Sequence, residues 1–337
     1  MCAENKAMED ITFVMPAFNV ERFIEKAVDS IKRQTIEDWR LIVVDDGSTD
    51  NTFKITSALS EKDPRITVLK MDKPSGSAYQ PRKKAILVAK TEWVAPLDAD
   101  DWIAPDYLEK LIARQRETEA DLIYPSMFTV KNGEPVLITP TDKYLIDRSY
   151  AGKDCVKFTL DGWRINCNGG LIRKDLYVKA FSENDSSLVY SCADELLTRQ
   201  LLLITPSVAF SDAAYFYRTN EDSITRKQTL KLFDYLINNK ELINFTADNY
   251  PSGSEEEKLA RRQNFHGVFD ALSLLNRYSF SKEDTKKVYS LIADSHKLDK
   301  IGIIRPYVSK KLLAVGMLPL PIIRYLIGFR DKLGKKE

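Results

Sequence analysis

The chain reads as an α/β protein: a mainly parallel sheet between helices, followed by a helical C-terminal region. Three observations lead there. Short β-branched runs alternate with amphipathic stretches as far as Ser126. Polar, turn-rich segments sit at the ends of those runs. From Gln228 onward the apolar residues repeat only at helical spacing.

The elements follow in order. Residues 11–15, ITFVM, form a buried strand, and Phe23, Ile24, Ala27, Val28 and Ile31 then repeat along a helix. Residues 40–44, RLIVV, give a second strand, followed by the turn DDGSTDNT and a helix ending near Lys62. Residues 65–69, RITVL, are the third strand. A helix around Pro81 to Ala89 precedes the fourth, 93–97, WVAPL, and 120–126, ADLIYPS, is the fifth. Helices of this length between strands imply right-handed crossovers and a sheet covered on both faces. Segments between 127 and 227 are shorter and less regular. Beyond them come helical patterns, interrupted by a loop at 250–257, YPSGSEEE. The expected division is 1–227 and 228–337.

In such sheets ligands lie beyond the carboxyl ends of the strands. Three loops, PAFN, DDGSTD and DADD, would therefore share one edge. The stretch LDADDW, 97–102, crowds three carboxylates there. Like charges so close raise one another's proton affinity unless a cation or hydrogen-bond donors compensate them. One acid can cap the following helix, but convergence of acids from several loops favours a divalent-metal site over a cap alone.

Composition narrows the function. With 44% hydrophobic and 29% charged residues and a net charge of +1, the chain lacks the strongly basic face of a dedicated nucleic-acid binder. Its four cysteines, Cys2, Cys155, Cys167 and Cys192, have no C-x-x-C spacing, and with two histidines a zinc site is not expected. Scattered thiols suit a reducing compartment. The polar start MCAENKAMED reads as no signal peptide, and no apolar run reaches the roughly 20 residues that span a bilayer. From residue 297 to 337 ten Lys or Arg face three Asp or Glu, so this tail carries +7 and the remainder −6. A basic tail on an acidic body suggests an anionic partner.

Taken together, VMPAFNVERFIEKAVDSIKRQT, LIVVDDGSTDNT and WVAPLDADDWIAPDYLEKL resemble the family 2 glycosyltransferases of GT-A fold. The resemblance is close over residues 10–125 and loose over 160–227. It implies an inverting, metal-dependent transferase. The sugar would pass from a nucleotide-diphosphate donor, UDP-linked by preference, to a hydroxyl of a glycan or lipid-linked acceptor in bacterial polysaccharide synthesis. Cytoplasmic placement is expected. The basic tail, with about a dozen apolar residues, reads either as a helix docked on the body of the protein or as a segment peripheral on the inner face of the plasma membrane.

The resemblance also implies roles. Asp98-Ala99-Asp100 matches the family's D-x-D: Asp100 would bind Mn²⁺ or Mg²⁺ directly, and Asp98 would face the ribose or a metal-bound water. Asp101 reads as a cap or supporting acid. Pro16, Ala17 and Phe18 would line the donor pocket, though Phe18 reads equally as a core aromatic. Asn19 and Glu21 match family positions and also read as a helix start. Asp46 would accept a hydrogen bond from the base, while Asp45 and Asp50 fit turn chemistry equally well. Gly47 reads as a turn glycine. Arg82 aligns with the family's arginine, but Pro81 and Lys83 depart from its neighbours; Arg82 or Lys83 would pair with phosphate, as would Arg218 and Arg226. In SCADELLTRQLLL, Ala193 replaces the first of two acids, leaving Asp194 as general base with Glu195 as rival. Trp163, Asn168, Gly169 and Glu195 fall on the acceptor side.

Two other readings compete. A nucleotidyltransferase needs a Gly-rich loop with a basic residue after the first strand, which PAFNVERF lacks. A degenerate, non-catalytic nucleotide-sugar binder draws support from Ala193 and QPRKK, against the intact Asp46, Asp98, Asp100 and Asp194.

Overall fold

The computed structural model describes residues 11–131, 134–138, 148–161, 167–182, 193–218, 229–298, 308 and 310–333. The chain forms two compact units. The first comprises residues up to 220 apart from 160–162 and 190–192, which join the second with everything from 221 on.

In the first unit, β1 (Ile11–Ala17) is buried along its whole length, as its unbroken apolar run demands. It leads to α1 (Ile24–Lys32), which buries Ile24, Ala27, Val28 and Ile31 at helical spacing. Then follow β2 (Trp39–Asp45), α2 (Thr52–Lys62), β3 (Ile66–Lys70), α3 (Tyr79–Val88) and β4 (Trp93–Pro96). These strands pair in parallel in the order β3-β2-β1-β4. Ala17 lies opposite Asp45 and Val14 opposite Pro96, so the three loops that leave β1, β2 and β4 do share one edge.

Beyond β4 the sheet departs from the parallel pattern. The two-residue β5 (Trp102–Ile103) and α4 (Tyr107–Thr118) precede β6 (Leu122–Lys131) and β7 (Glu134–Leu137). After α5 (Gly152–Leu160) comes β8 (Leu171–Arg173), which inserts antiparallel between β4 and β6. Next are α6 (Lys174–Ser182), α7 (Ala193–Ile204) and β9 (Val208–Tyr217). β9 runs parallel to β6 and antiparallel to β5. The sheet is therefore mixed, its order β3-β2-β1-β4-β8-β6-β9-β5 with β7 on β6. Its core joins Phe13, Met15, Leu41, Val43 and Ala95 to Leu108, Leu111, Ile123 and Tyr215.

The second unit is helical: α8 (Asp234–Asn249), α9 (Glu255–Arg277), α10 (Lys282–Lys297), α11 (Lys310–Gly316) and α12 (Leu320–Leu333). Ser254 and Ser281 cap α9 and α10 by accepting from Glu257 N–H and Asp284 N–H. Phe233, Phe265, Leu272, Ile292, Ile323 and Ile327 share its core. Among the described residues no helix is long and apolar enough to cross a membrane.

Candidate active site

The three loops at the carboxyl edge are tied to one another before any ligand is considered. After β1, Asn19 takes a left-handed conformation (φ 52°), which asparagine tolerates better than most residues. Its Oδ1 accepts from Thr49 N–H at 2.8 Å, and its own N–H donates to Ser48 Oγ at 3.0 Å. Glu21 Oε2 accepts from the backbone and side-chain amides of Asn51 at 2.9 and 2.7 Å. Asp50 accepts from Glu21 N–H and Thr52 N–H. These bonds fix the first loop on the second. Gly47 (φ 71°) has no room for a side chain, since a Cβ would meet Pro74 at 2.9 Å. Pro16 and Ala17 are buried, whereas Phe18 is 39% exposed at the rim. Asp46 is held by Ser75, whose N–H and hydroxyl both donate to its carboxylate. Burial nevertheless keeps its proton affinity above the ordinary range.

The acid turn after β4 has a different anchor. Tyr215 on β9 donates its hydroxyl proton to Asp101 Oδ2 at 2.6 Å and accepts from Asp98 N–H at 3.3 Å. Arg218 N–H donates to Asp101 Oδ1 at 2.7 Å. Asp101 is thus a buried tether, not the helix cap that its position suggests; α4 starts at Tyr107, five residues after the turn has become β5. Burial, then Asp100 and Asp98, push its proton affinity well up. Arg218 also donates from Nε to the Asp100 carbonyl at 2.7 Å and lies over the rings of Phe23 and Trp102. Lys26 Nζ sits 3.2 Å from the centre of the Trp102 ring.

Asp98 receives two donors. Arg82 Nη2 reaches Oδ1 at 2.9 Å and Asn168 Nδ2 reaches Oδ2 at 2.9 Å. The sequence offers Arg82 as a phosphate partner, but its residue is completely buried and its hydrogen bond goes to Asp98. Burial opposes the guanidinium charge, and Asp98 foremost restores it and raises its proton affinity. Asn168 Nδ2 donates a second time, to Asp194 Oδ2 at 3.3 Å. One amide nitrogen therefore joins the acid turn to α7.

The Asn168 segment is closely fixed. Cys167 N–H donates to Thr198 Oγ1, Tyr177 donates to the Cys167 carbonyl, and Gly170 N–H donates to the Tyr107 hydroxyl at 2.8 Å. Gly170 has φ 107°, and a Cβ there would lie 2.4 Å from the Ile123 carbonyl oxygen. Only glycine passes.

Electrostatics separates the acids. Asp194, in the first turn of α7, is pushed up to about 6 by burial; Arg82 opposes this, while Glu195 and Asp98 add to it. Asp100 is also raised to about 6, by burial and then by Asp98. Glu195 pairs instead with Arg199, four residues on, at 3.3 Å. Trp163 and Arg226 lie outside the described residues, as do residues 219–228 that follow Arg218.

Asp98, Asp100, Asp101 and Asp194 oppose Arg82 and Arg218, which leaves a formal surplus of two negative charges. Among the described residues no three His, Cys, Asp or Glu side chains form a ready-made cage. The charge surplus is what Mg²⁺ or Mn²⁺ would offset; these are hard cations that use one or two carboxylates and complete their shell with phosphate and water. Asp100, raised by burial and by its neighbour, is the acid such a cation would relieve.

A parallel half-sheet feeding acids to one edge, completed by a mixed half, is the GT-A-like topology of nucleotide-sugar transferases. The fold is similar to that of residues 1–349 of S. aureus TarS in complex with UDP-GlcNAc, with a TM-score of 0.73 at 18% identity, covering 97% of this chain and 92% of that one. Residues 12–177 match the family model described as Glycosyl transferase family 2. The chain belongs to that family and is a glycosyltransferase. Glycosyltransferase GlyG of Streptococcus pneumoniae serotype 4 is 26% identical over 229 residues, 65% of this chain and 74% of that protein. Glycosyltransferase GlyA of the same organism is 26% identical over 324 residues, which are 87% of this chain but 45% of that longer protein.

Sequence reasoning named Asp98, Asp100, Asn168 and Asp194, which the structure brings together, but not Tyr215, which holds the acid turn, or Ser75, which holds Asp46. Tyr215 and Ser75 carry no signal of their own. Tyr215 is one aromatic in the run AAYFY, and only strand pairing shows that it faces the acid turn.

Proposed function

We propose that the protein is an inverting, metal-dependent glycosyltransferase that moves a sugar from a UDP-sugar to a hydroxyl of a glycan or lipid-linked acceptor. One observation carries the reading: Asn168 binds Asp98 and Asp194 through a single amide nitrogen. That sets a donor-side acid and an elevated acid side by side. UDP is the nucleotide of choice because the TarS fold holds UDP-GlcNAc.

Each residue has a part. Asp46, held in place by Ser75, would face the base, and Phe18 at the rim offers an aromatic face. Pro16, Ala17 and Ala99 shape the pocket without a polar group, and Glu21 positions the first loop against the second. Asp100, with Asp98 beside it, would hold Mn²⁺ or Mg²⁺, which when bound neutralises charge on the departing diphosphate. Arg82 pairs with Asp98 and aims its carboxylate. Arg218 braces the acid turn, and Arg226 would meet the phosphates.

Asp194 accepts the proton of the attacking acceptor hydroxyl. An acid with a pKa near 6 is ionised at neutral pH yet basic enough to take that proton as the new bond forms. Attack from the side opposite the nucleotide inverts the anomeric carbon. Glu195 is the weaker candidate because Arg199 engages it. Asn168 and Trp163 would line the acceptor side.

The test is UDP release from UDP-sugars with and without Mn²⁺, in wild type, Asp194→Asn and Glu195→Gln. Asp194→Asn should bind donor nearly normally yet turn over roughly 10²–10⁴-fold more slowly. Unchanged turnover in Asp194→Asn, with the loss falling on Glu195→Gln, would overturn the assignment of the base.

A further inference from the structure

The second unit carries a surface that the reaction does not use. α12 is docked by one side only. Ile323 and Ile327, four residues apart, are 0% and 4% exposed in the unit's core. Asn276 on α9 clamps the same helix, donating to the Arg324 carbonyl and accepting from Arg324 Nε, both at 3.1 Å. α11 is drawn equally close, since a Cβ on Gly316 would lie 2.4 Å from the Phe265 ring.

The other side of α12 is apolar too. Tyr325 is 74% exposed, Ile322 46% and Leu326 39%, with Met317 at 70% just before the helix. Single exposed apolar residues are ordinary; a cluster of four on ten residues is a patch. At ~100° per residue, Ile322, Tyr325 and Leu326 share an arc of ~100°.

We infer that this face of α12, with Met317, docks on an anionic lipid surface. Charge selects the occupant. The segment 297–337 carries +7, so two copies meeting through this face would bring like charge together, whereas an acidic headgroup layer offers the opposite sign. An apolar arc on a helix within a strongly basic segment is the pattern of a helix lying in a bilayer interface. Its clamp on α9 makes it a fixed platform that needs no refolding to bind.

The test uses the full chain and sedimentation with vesicles of phosphatidylglycerol and phosphatidylcholine, with pure phosphatidylcholine as reference. Wild type should favour the anionic vesicles and lose binding as salt rises. Ile322→Ser/Tyr325→Ser/Leu326→Ser should bind them at least tenfold more weakly while retaining turnover of a small soluble acceptor. Should that variant fail to fold, Tyr325→Trp, at a position 74% exposed, gives a second readout: its emission should shift to the blue on adding anionic vesicles. Equal vesicle binding by wild type and the triple variant, or no emission shift, overturns the proposal. So does equal affinity for neutral vesicles, or a wild-type dimer in light scattering that the triple variant dissociates without losing vesicle binding.

Discussion

Replacing Asp194 by Asn should make the protein more stable and less active, and the gain should depend on pH. Burial raises this carboxyl from 3.8 to about 6. Each unit is worth about 1.4 kcal/mol, so holding Asp194 ionised costs the fold up to about 3 kcal/mol. Because the residue is half-buried, solvent screening reduces this to about 1–2 kcal/mol. The folded pKa lies above the unfolded one, so the native state binds the extra proton between about pH 4 and 6 and stability falls as pH rises through that window. Asparagine keeps an acceptor for Asn168 but carries no charge. The variant should therefore gain about 1–2 kcal/mol at pH 8 and only about a third of that at pH 4.5. Urea unfolding followed by tryptophan emission would measure it, since Trp39, Trp93 and Trp102 all belong to the first unit. A variant no more stable than wild type at pH 8, or one whose gain is the same at both pH values, refutes the claim that burial sets this acid's pKa.

Three further outcomes follow from the same geometry. Asp100→Asn should keep the fold but lose the Mn²⁺-dependent thermal stabilisation by UDP that a bound ligand gives; full activity in this variant would sink the metal assignment. Asn168→Ala removes a hydrogen bond that lowers the Asp194 pKa, so the acid limb of the kcat profile should move to higher pH, and an unmoved limb would detach Asn168 from the base. Tyr215→Phe deletes the donor to Asp101 and should cost about 1–3 kcal/mol, the range for a buried carboxylate deprived of a partner. Unfolding at an unchanged urea midpoint would show that Arg218 N–H suffices alone.

The parallel half of the sheet was legible because β1, β2 and β4 are short, largely buried apolar runs and, with the more exposed β3, are separated by helices of standard length. Residues 11–15 predict β1 and the structure extends it to Ala17; 40–44 predict β2, which spans Trp39–Asp45. The mixed half was not legible. β8 is three residues long, too short for any period to register, and its antiparallel slot between β4 and β6 is a long-range choice. β9 interrupts its apolar pattern with Ser211 and Asp212. The same division runs through the site. Loops at the ends of β1, β2 and β4 follow from topology, so the convergence of their acids follows too. The Asn168 bridge does not, because it requires β8 to carry residues 167–170 beside β4. Asp101 reads in the sequence as a cap or a supporting acid for a related reason: its local context is a helix start, and the partner that makes it a supporting acid lies on β9.

That partner also sets a schedule. Tyr215 bonds Asp101 across 114 residues and Asp98 across 117, and β9 is the strand on which both β5 and the length of β6 pair. A ribosome makes chains from the N-terminus, and contacts of high sequence separation form late. While the chain is still shorter than about two hundred residues, the β1 and β2 loops, tied by Asn19, Glu21 and Asp50, already have all their partners. The acid turn does not. Of its three carboxylates, Asp98 can already meet Arg82 and Asn168. Asp101 gains Tyr215 and the Arg218 N–H only when β9 has emerged and zipped onto β6. The edge built by the β1 and β2 loops is therefore assembled first, and the acid turn is locked only afterwards.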